Sequence, residues 1–382
     1  MNIFQEYEME DFGAADGRQQ VDFDRDHHDG VALLHLDRMT DSTGLIQHAI
    51  YCIPRRESGY TTDDNARALR LCVRLWSRQP DERMLNRIAL YLSFLQHAAC
   101  PVRGFHNFLS YQRGWLDAAG TGDCQGQAVL ALAETLGSRL PDGFQALAHE
   151  LIDAVLPALA DLRSLRAQAY IVQAWDRLSA TGVQDLEDLE HVALLAARRL
   201  RECYERSCRP DWPWFESQMT YANAVLPQAM YAAARCWPEE SYLHVAEAAF
   251  AFLSQVTTDN GNFWPVGNCD WYPHGESKAP YDQQPVEAST MAEAALQAFE
   301  LTNDPKHLAT FHRAHGWFQG RNSLELSLVD VHAGSCFDGL QPLGVNCNQG
   351  AESTLAWLST QLHKSSLHDK PRETAGTAVV GT

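Results

Sequence analysis

The sequence predicts an all-α fold, an (α/α)6 barrel in which six helical hairpins close into a toroid. Two observations predict it. Six times along the 382 residues, a short polar, aromatic and acidic stretch runs straight into an alanine-rich apolar segment. The segments between these are amphipathic instead, so two kinds of helix alternate. The six junctions are Tyr60-Thr-Thr-Asp-Asp-Asn-Ala-Arg67, Gly122-Asp-Cys-Gln-Gly-Gln127, Ser164-Leu-Arg-Ala-Gln168, Tyr221-Ala-Asn-Ala-Val-Leu-Pro-Gln228, Tyr281-Asp-Gln-Gln-Pro-Val-Glu287 and Asn346-Cys-Asn-Gln-Gly-Ala-Glu352. A ring of hairpins would gather them around one cavity.

The outer helices are expected at 41–53, 81–98, 142–160, 185–203, 240–257 and 304–318. Leu85, Ile88, Leu92 and Leu95 recur in steps of three and four, as do Phe144, Leu147, Leu151 and Val155, and Val245, Ala249, Phe252 and Val256. One apolar stripe opposite one wet face is the pattern of a helix on a surface. Stretches 127–136, 167–175, 229–237 and 288–299 are small or apolar on every side, as in helices surrounded by protein. With the helices that start at the two remaining junctions, Tyr60–Arg67 and Asn346–Glu352, these make about twelve, alternating outer and inner. Pro227 and Pro285 fit the first helical position, where a missing N–H costs nothing.

Stretches 99–122, 207–220, 257–281 and 321–345 are long and rich in Gly, Asn and aromatic residues. Loops of this length in a compact domain usually carry function. Short strands are expected near 261–266 and 327–331. No linker divides the chain: residues 1–30 read as an N-terminal arm, 31–365 as one barrel domain, and 366–382 as a disordered tail.

A net charge of -19 argues against nucleic acid or an anionic membrane as a partner, since phosphate binding needs clustered Lys and Arg. No secretory signal is visible, and no apolar run approaches the roughly 20 residues that span a bilayer. The ten cysteines are scattered, without a Cys-x-x-Cys pair or a zinc spacing. The expectation is a cytoplasmic protein with reduced, mostly buried thiols, of which only Cys124 and Cys347 fall in junctions. Nucleotide-binding, zinc-protease and esterase motifs are missing, so neither cofactor nor metal is expected.

Four constellations carry chemistry. Asp63 and Asp64 at a helix start repel each other, and burial raises the proton affinity of at least one, which suits a general acid or base. Capping, with Arg67 as ion partner, is the bland alternative, but capping needs only one of them. In Trp212-Pro-Trp-Phe-Glu216, flat rings would bind sugar faces and a carboxylate against indoles would hold its proton; the alternative is an aromatic loop plug with a surface Glu. The stretches ending at Glu287 and Glu352 supply amides that hydrogen-bond hydroxyls in both directions, followed by a carboxylate in the first helical turn. A capping box competes there. Asp123 with Gln125 and Gln127 repeats the pattern more weakly. His106 and His274 lie in loops, whereas His312 and His315 fall on an outer helix and read as solvated.

The run from Ile46-Gln-His-Ala-Ile-Tyr51 through Tyr60-Thr-Thr-Asp-Asp-Asn-Ala-Arg-Ala-Leu69, with Trp212-Pro-Trp-Phe-Glu216, Phe263-Trp-Pro-Val-Gly-Asn268, Asp282-Gln-Gln-Pro-Val-Glu287 and Asn348-Gln-Gly-Ala-Glu-Ser-Thr-Leu-Ala-Trp357, resembles a bacterial group in the six-hairpin glycosidase superfamily. Members of that group occur alone or joined to a glycosyltransferase domain. The resemblance covers 34–362. Similar chains carry a Ser-His-Gly-Arg-like run where this one has Cys124-Gln-Gly-Gln127, so two charged contacts are missing here.

The resulting expectation is an inverting glycoside hydrolase acting on a mannose- or glucose-containing oligosaccharide. Asp64, with Asp63, would be the base and Glu216 the acid, with Glu287 and Glu352 as substitutes. Trp212, Trp214, Trp264, Trp271, Tyr221 and Tyr281 would line sugar subsites, joined by Tyr60, Arg67, Asp123, Asn223, Asp282, Gln283, Gln284, Asn348 and Gln349. Two alternatives keep the barrel. One is a sugar epimerase or isomerase, which would need His106 and His274 to face the cavity. The other is a non-catalytic sugar-binding partner of a glycosyltransferase or phosphorylase of the same pathway.

Overall fold

The computed structural model describes residues 27–101, 103–238 and 240–369. Among them are twelve α-helices: α1 (Leu34–Met39), α2 (Thr62–Arg78), α3 (Glu82–Ala98), α4 (Gly122–Leu136), α5 (Asp142–Leu159), α6 (Leu165–Leu178), α7 (Glu187–Ser207), α8 (Val225–Cys236), α9 (Glu240–Val256), α10 (Pro285–Thr302), α11 (Pro305–Phe318) and α12 (Ala351–Asp369). The even-numbered helices form the inner ring. Each packs on the next, from α2 to α4 and onward to α12, and α12 packs back on α2. Outside, α3, α5, α7, α9 and α11 each lie on the inner helix before them, and α1 lies on α12. The expected barrel is the observed one.

Burial explains the division. Every residue of α4 from Cys124 to Leu136 is buried, because neighbours cover it on all sides. Gly126 lets α6 approach: a β-carbon there would stand 2.9 Å from Tyr170, inside the contact distance of packed carbons. By contrast, α7 buries one stripe, Leu189, Ala193, Ala196, Ala197, Leu200 and Tyr204, and wets the rest.

Two details differ from the sequence reading. Residues 41–53 are not helical. Asp41 accepts the N–H groups of Thr43 and Gly44 in a side-chain-closed turn, and the chain continues as the hairpin Ala49–Ile50 with Ile53–Pro54. The first outer helix is instead the six-residue α1. Pro227 stands third in α8 rather than first, still within the turn whose N–H groups have no intrahelical partner. Short strands form where expected, Asn262–Phe263 against Thr258–Asp259 and Val329–Asp330 against Ser335–Cys336. Of the expected arm and tail, residues 1–26 and 370–382 lie outside the described residues, and α12 runs past the expected boundary to Asp369. No described helix is long and apolar enough to cross a membrane.

The barrel axis is nearly filled. Its interior void of about 50 Å³, lined by Arg67, Arg70, Tyr170, Gln173 and Gln228 among others, has room for a few ordered waters. Charges close the trailing end. Glu134 of α4 accepts Arg70 Nε (3.1 Å) and Arg74 Nη2 (2.6 Å), while Glu293 of α10 accepts the same two arginines at 3.1 and 2.7 Å. The roomier cleft lies at the opposite mouth, where the inner helices begin.

Candidate active site

The leading ends of α2, α10 and α12 border one cleft of about 280 Å³, lined by Asp63, Asp64, Gln284, Asp338, Glu352 and His48 among others. Arg67 organises its acids. Nη1 lies 3.3 Å from Asp63 Oδ2 and 3.0 Å from Asp64 Oδ1, and Nη2 lies 3.1 Å from Glu352 Oε2. Thr61 caps α2 by accepting the Asp64 N–H, and its hydroxyl donates to Asp64 Oδ2 at 2.8 Å. Burial, reinforced by the charge of Asp63, pushes the Asp64 pKa up to about 8, against the pull of Arg67. The Glu352 pKa is raised as well: lost hydration in the narrow cleft does most of it, Arg67 opposes it, and Asp63 and Asp338 add to it. Its side chain still keeps 41% of its surface exposed, so it can meet a ligand.

A second cluster surrounds Arg166 of α6. Nη1 holds both oxygens of Glu216, at 3.2 and 3.0 Å, Nη2 donates to Thr220 Oγ1 and Nε to the Tyr221 carbonyl. The guanidinium stacks 4.7 Å over the Tyr221 ring. Burial, then a hydrogen bond to Asp123, raises the Tyr221 pKa. Asp123 also accepts from Ser164, tying α4 to α6, and Trp271 lies 6.2 Å from Tyr221.

Glu287 joins α10 to the turn before α8. It accepts the backbone N–H of Ala222 and the side-chain amide of Asn223, holding Ala222 at a left-handed φ of 45°. This is a clamp between elements rather than a capping box. Burial pushes its pKa up to about 7, although these hydrogen bonds oppose the rise. A carboxyl that binds its proton more tightly when folded favours the native state in acid. That contribution is complete below the ordinary value of 4.5 and is lost as pH rises through about 7. Asp64 acts in the same direction up to about 8. The melting temperature should therefore fall from about pH 5 to about pH 8, Glu287 alone accounting for roughly 3 kcal/mol. Glu287→Gln should flatten that slope in calorimetry; an unchanged slope would assign it elsewhere.

Several expected sugar contacts belong to the framework instead. Trp212 and Trp214 are buried, with Trp212 edge-on to Phe252 and Tyr272 and donating to the Glu216 carbonyl. Neither offers a ring face, and the Glu216 carboxylate meets Arg166 rather than indole. Tyr60 is buried, its hydroxyl donating to Asp41. Asn223 and Gln283 are wholly buried, Gln283 bonding Pro280, Ser323 and Trp317. Trp264, Tyr281 and Asp282 are half-buried in the loop before α10, where Trp264 donates to the Pro280 carbonyl. Asn348 and Gln349 bind the backbone of Tyr51.

Neither histidine that the epimerase alternative requires lines the cleft. His106 stacks on Trp115 and bonds the Asp117 carbonyl, and His274 pairs with Asp211. His315, expected to be solvated, is buried against Gln361. All ten cysteines are free, but only Cys72, Cys124 and Cys336 are buried. The departure at 124–127 falls on packing: Gln125 bonds the Phe105 backbone, and Gln127 faces the axial void and Arg70. Arg166, Asp338 and His48 were missed. Arg166 is the one charge within the junction at 164–168, a signal that was available; Asp338 sits in the connection between two hairpins, without one.

No protein-family model matches the chain, and no curated protein matches it either. Solved structures do. Cellobiose 2-epimerase from Spirochaeta thermophila superposes with a TM-score of 0.66 at 14% identity, covering 86% of this chain and 91% of that one. A D-mannose isomerase reaches 0.64 at 13% identity, over 91% and 98%. An α-1,6-mannanase of Salegentibacter sp., an inactive variant with two consecutive aspartates changed to asparagine and bound to α-1,6-mannotriose, reaches 0.57 at 13%, over 87% and 96%. Identities this low speak of fold. The chain has the fold of the six-hairpin glycosidase superfamily.

Proposed function

We propose that this protein is a glycoside hydrolase that cleaves an oligosaccharide at the mouth of the barrel with inversion. The observation that carries the reading is the convergence of Asp63, Asp64 and Glu352 on one guanidinium, with raised proton affinity at two of the three. Glu352 is open to the cleft and its proton affinity is raised, so it is placed to donate a proton to the leaving glycosidic oxygen as the bond to the anomeric carbon breaks. Water attacks that carbon from the other side and gives its proton to Asp63, which is held on the other terminal nitrogen of Arg67. Asp64 is protonated below about pH 8 and serves as a neutral neighbour rather than as the base. This changes the roles read from the sequence: the acid moves from Glu216 to Glu352, the base from Asp64 to Asp63. Glu216 and Tyr221 then bind sugar hydroxyls, held in place by Arg166.

A second reading, epimerisation at the reducing end, is favoured by His48, which borders the same cleft. One assay decides between them. In proton NMR with manno- and gluco-oligosaccharides, hydrolysis shortens the chain and releases an inverted anomer. Epimerisation keeps the length and changes one ring. Retention would make Asp63 a nucleophile, and no turnover across the panel would overturn the proposal.

A further inference from the structure

Tyr51 stands where a tyrosine is least expected. It occupies the two-residue turn between Ile50 and Ile53, at a φ of 53°. Turns of this kind select Gly, Asn or Asp, since a β-carbon at positive φ is strained. Its ring adds little to the core, with 65% of the residue exposed. The turn is nonetheless tied down on both sides. Tyr51 N–H donates to Asn348 Oδ1 at 3.0 Å, and its carbonyl accepts from Gln349 N–H at 2.9 Å. The tethered segment runs directly into Glu352, and His48, on the same hairpin, borders the cleft. Strain that the surrounding structure holds in place, beside a reactive cleft, points to use by a ligand.

We infer that Tyr51 is the platform of an outer sugar subsite on the rim, selecting chains longer than the cleft itself holds. The inference rests on the proposed sugar-cleaving reading of that cleft. The flat, exposed ring matches the C–H face of a pyranose, and its fixed backbone means that little order is lost on binding. Exposed Ile50 and Ile53 flank it and extend the apolar strip along the hairpin.

The test uses the full chain carrying Glu352→Gln, so that ligands survive, with calorimetric titration of manno- and gluco-oligosaccharides from disaccharide to pentasaccharide. Tyr51→Gly should weaken binding of the longer sugars roughly threefold to tenfold and leave the disaccharide unchanged, whereas Tyr51→Phe should stay within about twofold. Glycine relieves the turn, so Tyr51→Gly should also raise the melting temperature. A purely structural tyrosine would lose stability instead. Equal weakening at every length, or none, overturns the subsite while leaving hydrolysis intact. If neither this protein nor the unmodified chain binds or turns over any sugar, both readings fall together.

Discussion

Glu352→Gln is expected to reduce turnover by about 10²–10⁴-fold, the loss typical when a positioned proton donor is removed. Asp63→Asn should cost a similar factor for a different reason: water loses the group that accepts its proton. The two variants are separable. With an activated leaving group such as a nitrophenyl glycoside, departure needs little protonation, so Glu352→Gln should recover much of its rate while Asp63→Asn should not. Asp64→Asn should fall less far, because a neutral amide resembles the protonated acid that burial already enforces. Far-UV dichroism should be unchanged in all three. Full activity of both Glu352→Gln and Asp63→Asn would remove the assignment.

At the other end of the barrel the largest effect is on stability. Burial alone would raise the Glu134 pKa, but Arg74, Arg70 and Arg177 overcome it and hold it at about 2. Glu134→Ala leaves those arginines facing one another with Glu293 as their nearest remaining acid. Breaking a buried network from one side typically costs about 3–5 kcal/mol, because the survivors stay desolvated and unpaired. Urea unfolding should report a loss of that size. The sign with pH follows from the depressed value: the contribution is present above the ordinary 4.5 and vanishes as pH falls through about 2. A loss below about 1 kcal/mol would mean that the cluster behaves like a solvated surface pair.

The fold was readable because its two signals are local. An inner helix is apolar all round and an outer helix is striped, so α3 and α5 fall within a residue of the expected 81–98 and 142–160. The first outer helix was misread because Asp41 closes a turn with its own side chain, and periodicity does not register that. Carboxylates at helix starts were equally legible, which is why Asp63, Asp64 and Glu352 were found. Aromatic residues were not, since a Trp in a loop reads alike whether its face meets solvent or core; Trp212 and Trp214 went inward. Arg166 owes its place to Glu216, 50 residues away, a pairing that only the closed ring creates.

Ring closure also sets the order of events during synthesis. The seam between α12 and α2 is sealed by the last of the twelve described helices to be synthesised, so until then α2 keeps one flank bare. That same helix carries Glu352. A chain stopped before α12 thus holds five-sixths of a toroid without Glu352, and on the proposed reading the site is completed in the same step as the final seal.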